Sequence, residues 1–294
     1  MRIGFVGFGE VAATLSPPLV EHGAQVSAYD VLLEREGGRE VLERRARVGG
    51  IRFRALPEVV READYVLSTV TTQVAAEVAR RAVPHLGRAQ VYVDLNSTAP
   101  SVKLELAAIV RPCGAAFVEG AILGAVGATG AATRILLGGP AAPAAARALA
   151  GLGLNVAAYS PQIGKASTFK MLRSVLSKGL EALLLEFLIA GRRAGLEGDL
   201  WRELVELTSA HPFDRTAANW IETHPLAHQR RYHEMVQVAE TLRELSLEPL
   251  MTGATVAFFR RSLGLGLGDA FPARPGSPDQ VVAFMEQRLK GEAQ

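Results

Sequence analysis

Cysteine is almost absent. A single residue, Cys113, stands in 294, so no disulfide can form within the chain, a usage that suits a reducing compartment. Charge of either sign is not in excess: 32 Lys and Arg against 30 Asp and Glu leave +2. That balance gives no reason to expect nucleic acid or a membrane surface as partner. No apolar run reaches the ~20 residues a bilayer requires. The most apolar stretch, Leu180 to Ala190, is interrupted by Glu181 and Glu186. No charged segment and apolar core precede the strand-like run Ile3 to Val6, so no signal peptide is read and a cytoplasmic location is expected. What remains is an ordinary composition, 49% apolar and 21% charged, over a length that favours two domains.

From Arg2 to about Ala158, short apolar runs alternate with helical segments. The runs are "RIGFVG", "AQVSAY", "DYVLSTV", "QVYVDL", "AAFVEGA", "TRILLGG" and "NVAAYS"; the helical segments include Gln73 to Val83 and Pro100 to Arg111. Strand–helix alternation predicts an α/β, doubly wound, mostly parallel sheet covered by helices on both faces. We assign this domain to residues 1–162. After Pro161 only helical periodicity is found, over 164–194, 199–209, 213–221, 226–246 and 249–263. Residues 163–294 are therefore expected to form an all-α domain. The stretch "LGLGLGDAFPARPGSPD" reads as a loop, with a last helix starting at Pro278 and capped by Ser277.

"IGFVGFGEVAATL" places Gly7-x-Gly9-x-x-Ala12 directly after a strand and at the start of a helix. Gly7 permits the tight turn, Gly9 admits a pyrophosphate against the backbone, and Ala12 allows close helix–sheet packing. With Phe8, Glu10 and Val11 these residues form a candidate dinucleotide site, its anion held at a helix N-terminus. Asp30, at the end of the second strand, would accept from the ribose hydroxyls and repel a 2′-phosphate. NAD is the simple reading, with Arg35 and Arg39 as residues that would admit NADP. Pro17 and Pro18 fall inside the first helix and predict a kink or break near Ser16.

At about 100° per residue, Ser167, Lys170, Arg173, Ser174, Ser177, Lys178 and Glu181 share an arc of roughly 140° on the helix that follows the last strand. A solvated stripe is one reading. The upstream nucleotide site favours another: a hydride-transfer enzyme needs a proton-transfer group, and a lysine serves if its pKa falls from about 10.4 toward neutrality. Partial burial and the cationic neighbours Arg173 and Lys178 would push Lys170 that way.

The nucleotide motif, "DLNSTAP" (Asp94 to Pro100), "EGAILGAVGATGAATRILLGG" (Glu119 to Gly139) and "GKASTFKMLRS" (Gly164 to Ser174) stand in the order of the β-hydroxyacid dehydrogenases. The chain resembles this family, which includes 3-hydroxyisobutyrate and 6-phosphogluconate dehydrogenases, over nearly its whole length. With "RRYHEMVQVAETL" (Arg230 to Leu242) it also resembles a poorly characterised NAD(P)-dependent subgroup. The resemblance implies a Rossmann domain, a long interdomain helix and an all-helical domain that forms a homodimer. It implies that Lys170 is the catalytic acid/base, that Asn96 and Ser97 face nicotinamide and substrate, and that Val70 and Thr71 line the cofactor. The implied substrate is a small hydroxyacid, sugar acid or phosphorylated acid.

Two positions depart from the family. Ser174 replaces its usual asparagine, and Leu123-Gly124-Ala125 replaces its serine–glycine–glycine substrate loop. The substrate is thereby left open, with Arg173 as a candidate compensating cation. An imine reductase and a non-catalytic NAD(P)-binding regulator are the alternatives. His224, His228 and His233 share no single helix face, so they are expected as surface or interface histidines without a metal. Cys113 is expected to be inert. Ser97 and Thr98 would also serve as a cap before Pro100, and Glu119 as a substrate contact or ion-pair partner.

Overall fold

The apolar runs of the first half become strands, and a further short strand joins them. In the computed structural model, which describes residues 1–46 and 48–292, the strands are β1 (Arg2–Val6), β2 (Gln25–Tyr29), β3 (Arg52–Phe53), β4 (Tyr65–Ser68), β5 (Val91–Asp94), β6 (Ala116–Leu123), β7 (Arg134–Gly138) and β8 (Val156–Ser160). They make one sheet in the order β3-β2-β1-β4-β5-β6-β7-β8. All neighbours are parallel except β6 and β7, which pair antiparallel from Glu119↔Gly138 to Leu123↔Arg134. The order reverses between β1 and β4, and a crevice opens at such a point beyond the carboxyl ends of the strands. At two residues, β3 is too short for any alternation to register.

Helices α1 (Glu10–Glu21), α2 (Gly38–Arg45), α3 (Leu56–Glu62), α4 (Ala75–Ala82), α5 (Pro100–Val110), α6 (Val126–Thr129) and α7 (Ala142–Ala150) lie between the strands. Successive strand residues serve opposite faces. Phe5, Leu67, Val93 and Val118 pack with Leu15 and Leu19 of α1 and Leu149 of α7. Val6, Val66, Tyr92 and Phe117 pack with Val59 of α3, Ala79 of α4 and Leu106 of α5. Both faces are covered, which explains why these strands are continuously apolar.

The break expected in α1 is absent: the helix runs continuously from Glu10 to Glu21 through Pro17 and Pro18. An interior proline costs about 3 kcal/mol. Leu15 and Leu19 are almost wholly buried on either side of the pair, each contributing about 1.5–3 kcal/mol, and hold the helix to the sheet. Ser16 Oγ points back to Ala13 O at 3.4 Å, the carbonyl that the missing Pro17 N–H would have bonded.

The chain forms two compact units, Met1–Val175 and Leu176–Gln294, and the division falls within the long helix α8 (Lys165–Arg193). The second unit adds α9 (Glu197–Ser209), α10 (Phe213–Glu222), α11 (His224–Glu244), α12 (Leu250–Leu263), α13 (Leu267–Ala270) and α14 (Pro278–Glu292). The glycine-rich stretch is thus not wholly a loop. Gly266, at φ 71°, leads into α13, and Leu265 and Leu267 are buried. Within this unit Glu186 accepts from Met251 N, Thr252 N and Thr252 Oγ1 at 2.8, 2.8 and 2.7 Å. Burial pushes its carboxyl pKa up, but these hydrogen bonds outweigh burial and hold it below the usual value.

His224 and His228 are buried within the helical unit, which corrects the surface alternative among the expected surface or interface placements. His224 Nε2 lies 3.1 Å from Ser262 Oγ, and His228 Nδ1 2.9 Å from Pro225 O. Burial, then the charges of His228 and Arg231, push the His224 pKa down to about 4. His233 is exposed. Among the described residues no cluster of His, Cys, Asp and Glu could hold a metal ion, and no helix is long and apolar enough to cross a membrane.

Candidate active site

The turn after β1 is built around a glycine at which any side chain would be strained. Gly7 has φ +88°, and a Cβ there would stand 2.7 Å from Thr69 O and from Val70 Cγ1. Its N–H donates to Tyr29 O at 2.8 Å, and its carbonyl accepts from Thr69 Oγ1 at 2.6 Å. Gly9 is the N-cap of α1, and a Cβ built on it would meet nothing within 4 Å. A cavity of about 480 Å³ opens here, lined by Gly7, Gly9, Glu10, Val11, Asp30, Val70 and Thr71 among others. Phe8, expected at the cofactor site, is outside the lining. Its ring is buried edge-on between Phe5 and Phe53.

Asp30 has a second task besides facing this cavity. Its carboxylate accepts from Phe8 N at 2.8 Å and Leu32 N at 3.0 Å, so it ties the glycine turn to the end of β2. Arg35 and Arg39 are exposed and outside the lining. The cation that does line the cavity is Arg81 of α4. It donates to Tyr29 Oη at 3.0 Å and pairs with Glu34 at 3.4 Å. Arg81 follows Val74 and Val78 at helical spacing, a signal present in the sequence but not read.

A second cavity of about 360 Å³ shares Val11, Thr69, Val70 and Thr71 with the first and adds Asn96, Ser97, Ile122, Gly124, Val126 and Lys170. Lys170 is half-buried, and its pKa is pushed down by burial and then by the charge of Lys103. The cationic neighbour is thus Lys103 and not the expected Arg173 or Lys178: Arg173 is exposed and Lys178 pairs with Glu181 at 3.1 Å. Neither Arg173 nor Ser174 lines the cavity; Ser174 Oγ donates to Lys170 O at 3.0 Å. Leu123 packs beside Ala121, Leu136 and Ala166 instead, while Gly124 does reach the cavity. On this part of α8 apolar residues are open as well, with Leu172 65% and Val175 72% exposed.

The helix bearing Lys170 is held by Glu119. Its Oε1 accepts from Gly164 N at 2.7 Å and Ala166 N at 3.0 Å, and its Oε2 from Ser167 Oγ at 2.6 Å. This buried carboxylate therefore caps α8, and neither an ion pair nor a ligand contact is its task. Thr98 is buried and Ser97 exposed, and neither side chain caps α5, whose N-cap is Ala99. Cys113 Sγ points at Val110 O, 3.0 Å away.

Beneath Asn96 lies a buried charge that sequence reasoning missed. Lys103, 0% exposed, pairs with Asp94 at 2.5 Å. Burial pushes the Asp94 pKa up against the pull of Lys103. Lys103, Leu106 and Val110 make up the buried stripe of α5, so the periodicity alone carried the signal.

Residues 2–159 match the family described as the NAD binding domain of 6-phosphogluconate dehydrogenase, and residues 192–262 match a domain of unknown function (DUF1932). The chain is 35% identical to a conserved protein of unknown function whose structure was described as similar to 3-hydroxyacid dehydrogenases. That similarity covers 92% of this chain and 98% of the other, with a TM-score of 0.60. It is 26% identical over 219 residues to the mitochondrial 3-hydroxyisobutyrate dehydrogenase of Rattus norvegicus, covering 70% of this chain and 62% of that one. The chain thus spans less than two thirds of this relative's length. An imine reductase from Myxococcus stipitatus, solved with NADP+, shares the fold with a TM-score of 0.74 at 16% identity, over 91% of this chain and 96% of that one. Together with the glycine turn and its cavity, the match over residues 2–159 establishes that the chain belongs to the family of the NAD binding domain of 6-phosphogluconate dehydrogenase.

Proposed function

We propose that the chain is an NAD(P)-dependent oxidoreductase that moves a hydride between a nicotinamide and a small hydroxyacid, with Lys170 as general acid/base. One observation carries this reading: a half-buried lysine of lowered pKa lines a cavity that shares four residues with the cavity of the glycine turn. Gly7, whose Cβ position is blocked, and Gly9, whose Cβ position is open, form a cradle that fits a dinucleotide pyrophosphate at the head of α1. When bound, the nicotinamide supplies the site that accepts or returns the hydride. In oxidation the neutral amine of Lys170 takes the hydroxyl proton as the C–H electron pair departs and the C=O bond forms. In reduction the Lys170 ammonium returns that proton to the carbonyl oxygen. Val70, Thr71, Asn96 and Ser97 line the reaction space; Asp30 favours NAD over NADP.

Residues 1–162 then serve as the cofactor-binding domain, and 163–294 as a substrate and dimerisation domain. Leu176, Leu183 and Trp201 of the helical unit are exposed apolar residues that a homodimer would cover. A cytoplasmic location agrees with the lone thiol.

A second reading, an imine reductase, is favoured by the cavity lining. Among the described residues Lys170 is its sole cation, beside apolar Val11, Leu95, Ile122 and Val126, so no second cation awaits a carboxylate. The test measures cofactor reduction over hydroxyacids and sugar acids, and cofactor oxidation over imines, for the parent and Lys170→Ala. Hydroxyacid turnover lost on substitution supports the first reading. Imine turnover that survives it supports the second. Tight dinucleotide binding with no turnover would leave a regulatory protein.

A further inference from the structure

Beyond its through-space effect on Lys170, Lys103 has no assigned role, yet it is fully buried. A buried charge costs free energy unless it is paired and fully hydrogen-bonded. An apolar residue would satisfy the stripe it shares with Leu106 and Val110 equally well. Its ammonium donates to Asp94 Oδ2 at 2.5 Å, Asn96 O at 2.7 Å and Asp94 O at 3.0 Å. The other carboxylate oxygen, Asp94 Oδ1, accepts from Asn96 Nδ2 at 2.5 Å, and Nδ2 also donates to Ser68 Oγ at 3.0 Å. An ionised carboxylate can only accept, so the amide cannot turn its oxygen toward Asp94. Both amide hydrogens are therefore committed within the protein. Asn96 Oδ1 is buried and lacks a partner among the described residues, in a side chain that lines the Lys170 cavity.

We propose that Lys103 is a positioning residue: through Asp94 it fixes the Asn96 amide so that Oδ1 presents an acceptor to an N–H donor of the bound ligand, the carboxamide of the nicotinamide ring. This rests on the dinucleotide reading above. Lys103 and Asp94 touch no ligand themselves. Their effect is confined to the ring end of the site, far along the chain from the glycine turn.

The experiment compares two ligands, NADH and ADP-ribose, which lacks the ring. In the double variant Lys103→Met, Asp94→Leu, an apolar pair replaces the buried charges, a change that preserves folds elsewhere. We expect a thermal midpoint near the parent's, NADH binding weakened roughly tenfold, and ADP-ribose binding unchanged. The fluorescence of bound NADH shifts toward that of the free cofactor. Asn96→Leu, with the ion pair intact, reproduces the selective loss. If the double variant does not fold, Asp94→Asn is read in its place and must weaken NADH alone. Equal retention of both ligands, or equal loss of both in a folded variant, overturns the proposal. A parent that binds neither ligand overturns the dinucleotide reading itself, and this inference with it.

Discussion

Ser167 Oγ donates to Glu119 Oε2 at 2.6 Å, so strand β6 grips the first turn of α8 just ahead of Lys170. The same carboxylate receives two backbone N–H groups of that turn. Glu119→Ala leaves these buried donors without partners, at about 1–3 kcal/mol each. We expect a loss of about 3 kcal/mol in urea unfolding and a fall in turnover as Lys170 loses its anchorage. A variant of parental stability would show that the cap is dispensable.

Lys170 gives a pH dependence of definite sign. Its folded-state pKa lies below the ordinary value of 10.5 because burial and Lys103 disfavour the ammonium. Protonation is thus harder in the folded than in the unfolded chain, and the unfavourable linkage is fully present below the folded-state pKa. It fades as pH rises toward 10.5. Lys170→Met should therefore raise the thermal midpoint more at pH ~7 than at pH ~10. For hydroxyacid oxidation, kcat/KM should rise with pH and level off at a midpoint below that of a free lysine.

Gly7→Ala combines a strained φ of +88° with a Cβ at 2.7 Å from Thr69 O. About 1–3 kcal/mol of stability should be lost to backbone strain, and dinucleotide binding with it. Calorimetric titration with NADH measures the second effect. Parental affinity would mean that the turn is not the phosphate site.

How much of this was legible beforehand depended on the length of each signal. The strands β1, β4 and β5 announced themselves because both faces are buried and their residues are continuously apolar. The two residues of β3 carry no period at all. Pro17 and Pro18 misled because local propensity was outweighed by the burial of Leu15 and Leu19. Gly7, Asp30 and Lys170 were legible from spacing and Asn96 from the family resemblance, and all four line one or other of the two cavities. Arg173 and Ser174 share the sequence arc of Lys170 but stay outside, because only the start of that arc turns inward. Lys103 went unread although its periodicity marked it as buried, since a lysine on an apolar stripe invites reading as a helix-surface charge.

Asp30→Ala removes a carboxylate that ties the turn and that, in the proposed function, repels a 2′-phosphate. A charged acceptor is worth about 1.5–3 kcal/mol, so NAD affinity should fall roughly 10- to 100-fold while NADP affinity falls less. Paired fluorescence titrations give the ratio. An unchanged preference would move the source of discrimination to Arg81 and Glu34.

The helical unit supplies a prediction about assembly. Leu176 and Leu183, 61% and 43% exposed, lie seven residues apart on one side of α8. The parent is expected to sediment as a dimer, and Leu176→Glu with Leu183→Glu as a monomer. A parent that sediments as a monomer would remove the dimer from the proposed function.

The antiparallel return of β7 beside β6 has an evolutionary corollary. A parallel neighbour would require residues 124–133 to recross the whole sheet, and their length and composition would be constrained by that journey. Reversal frees them: the segment leaves the sheet's carboxyl edge at Gly124 and rejoins it from the same edge at Arg134. Such a peninsula can be lengthened, shortened or recoloured without sliding any central strand out of register, so new chemistries could be sampled there at little hazard to foldability.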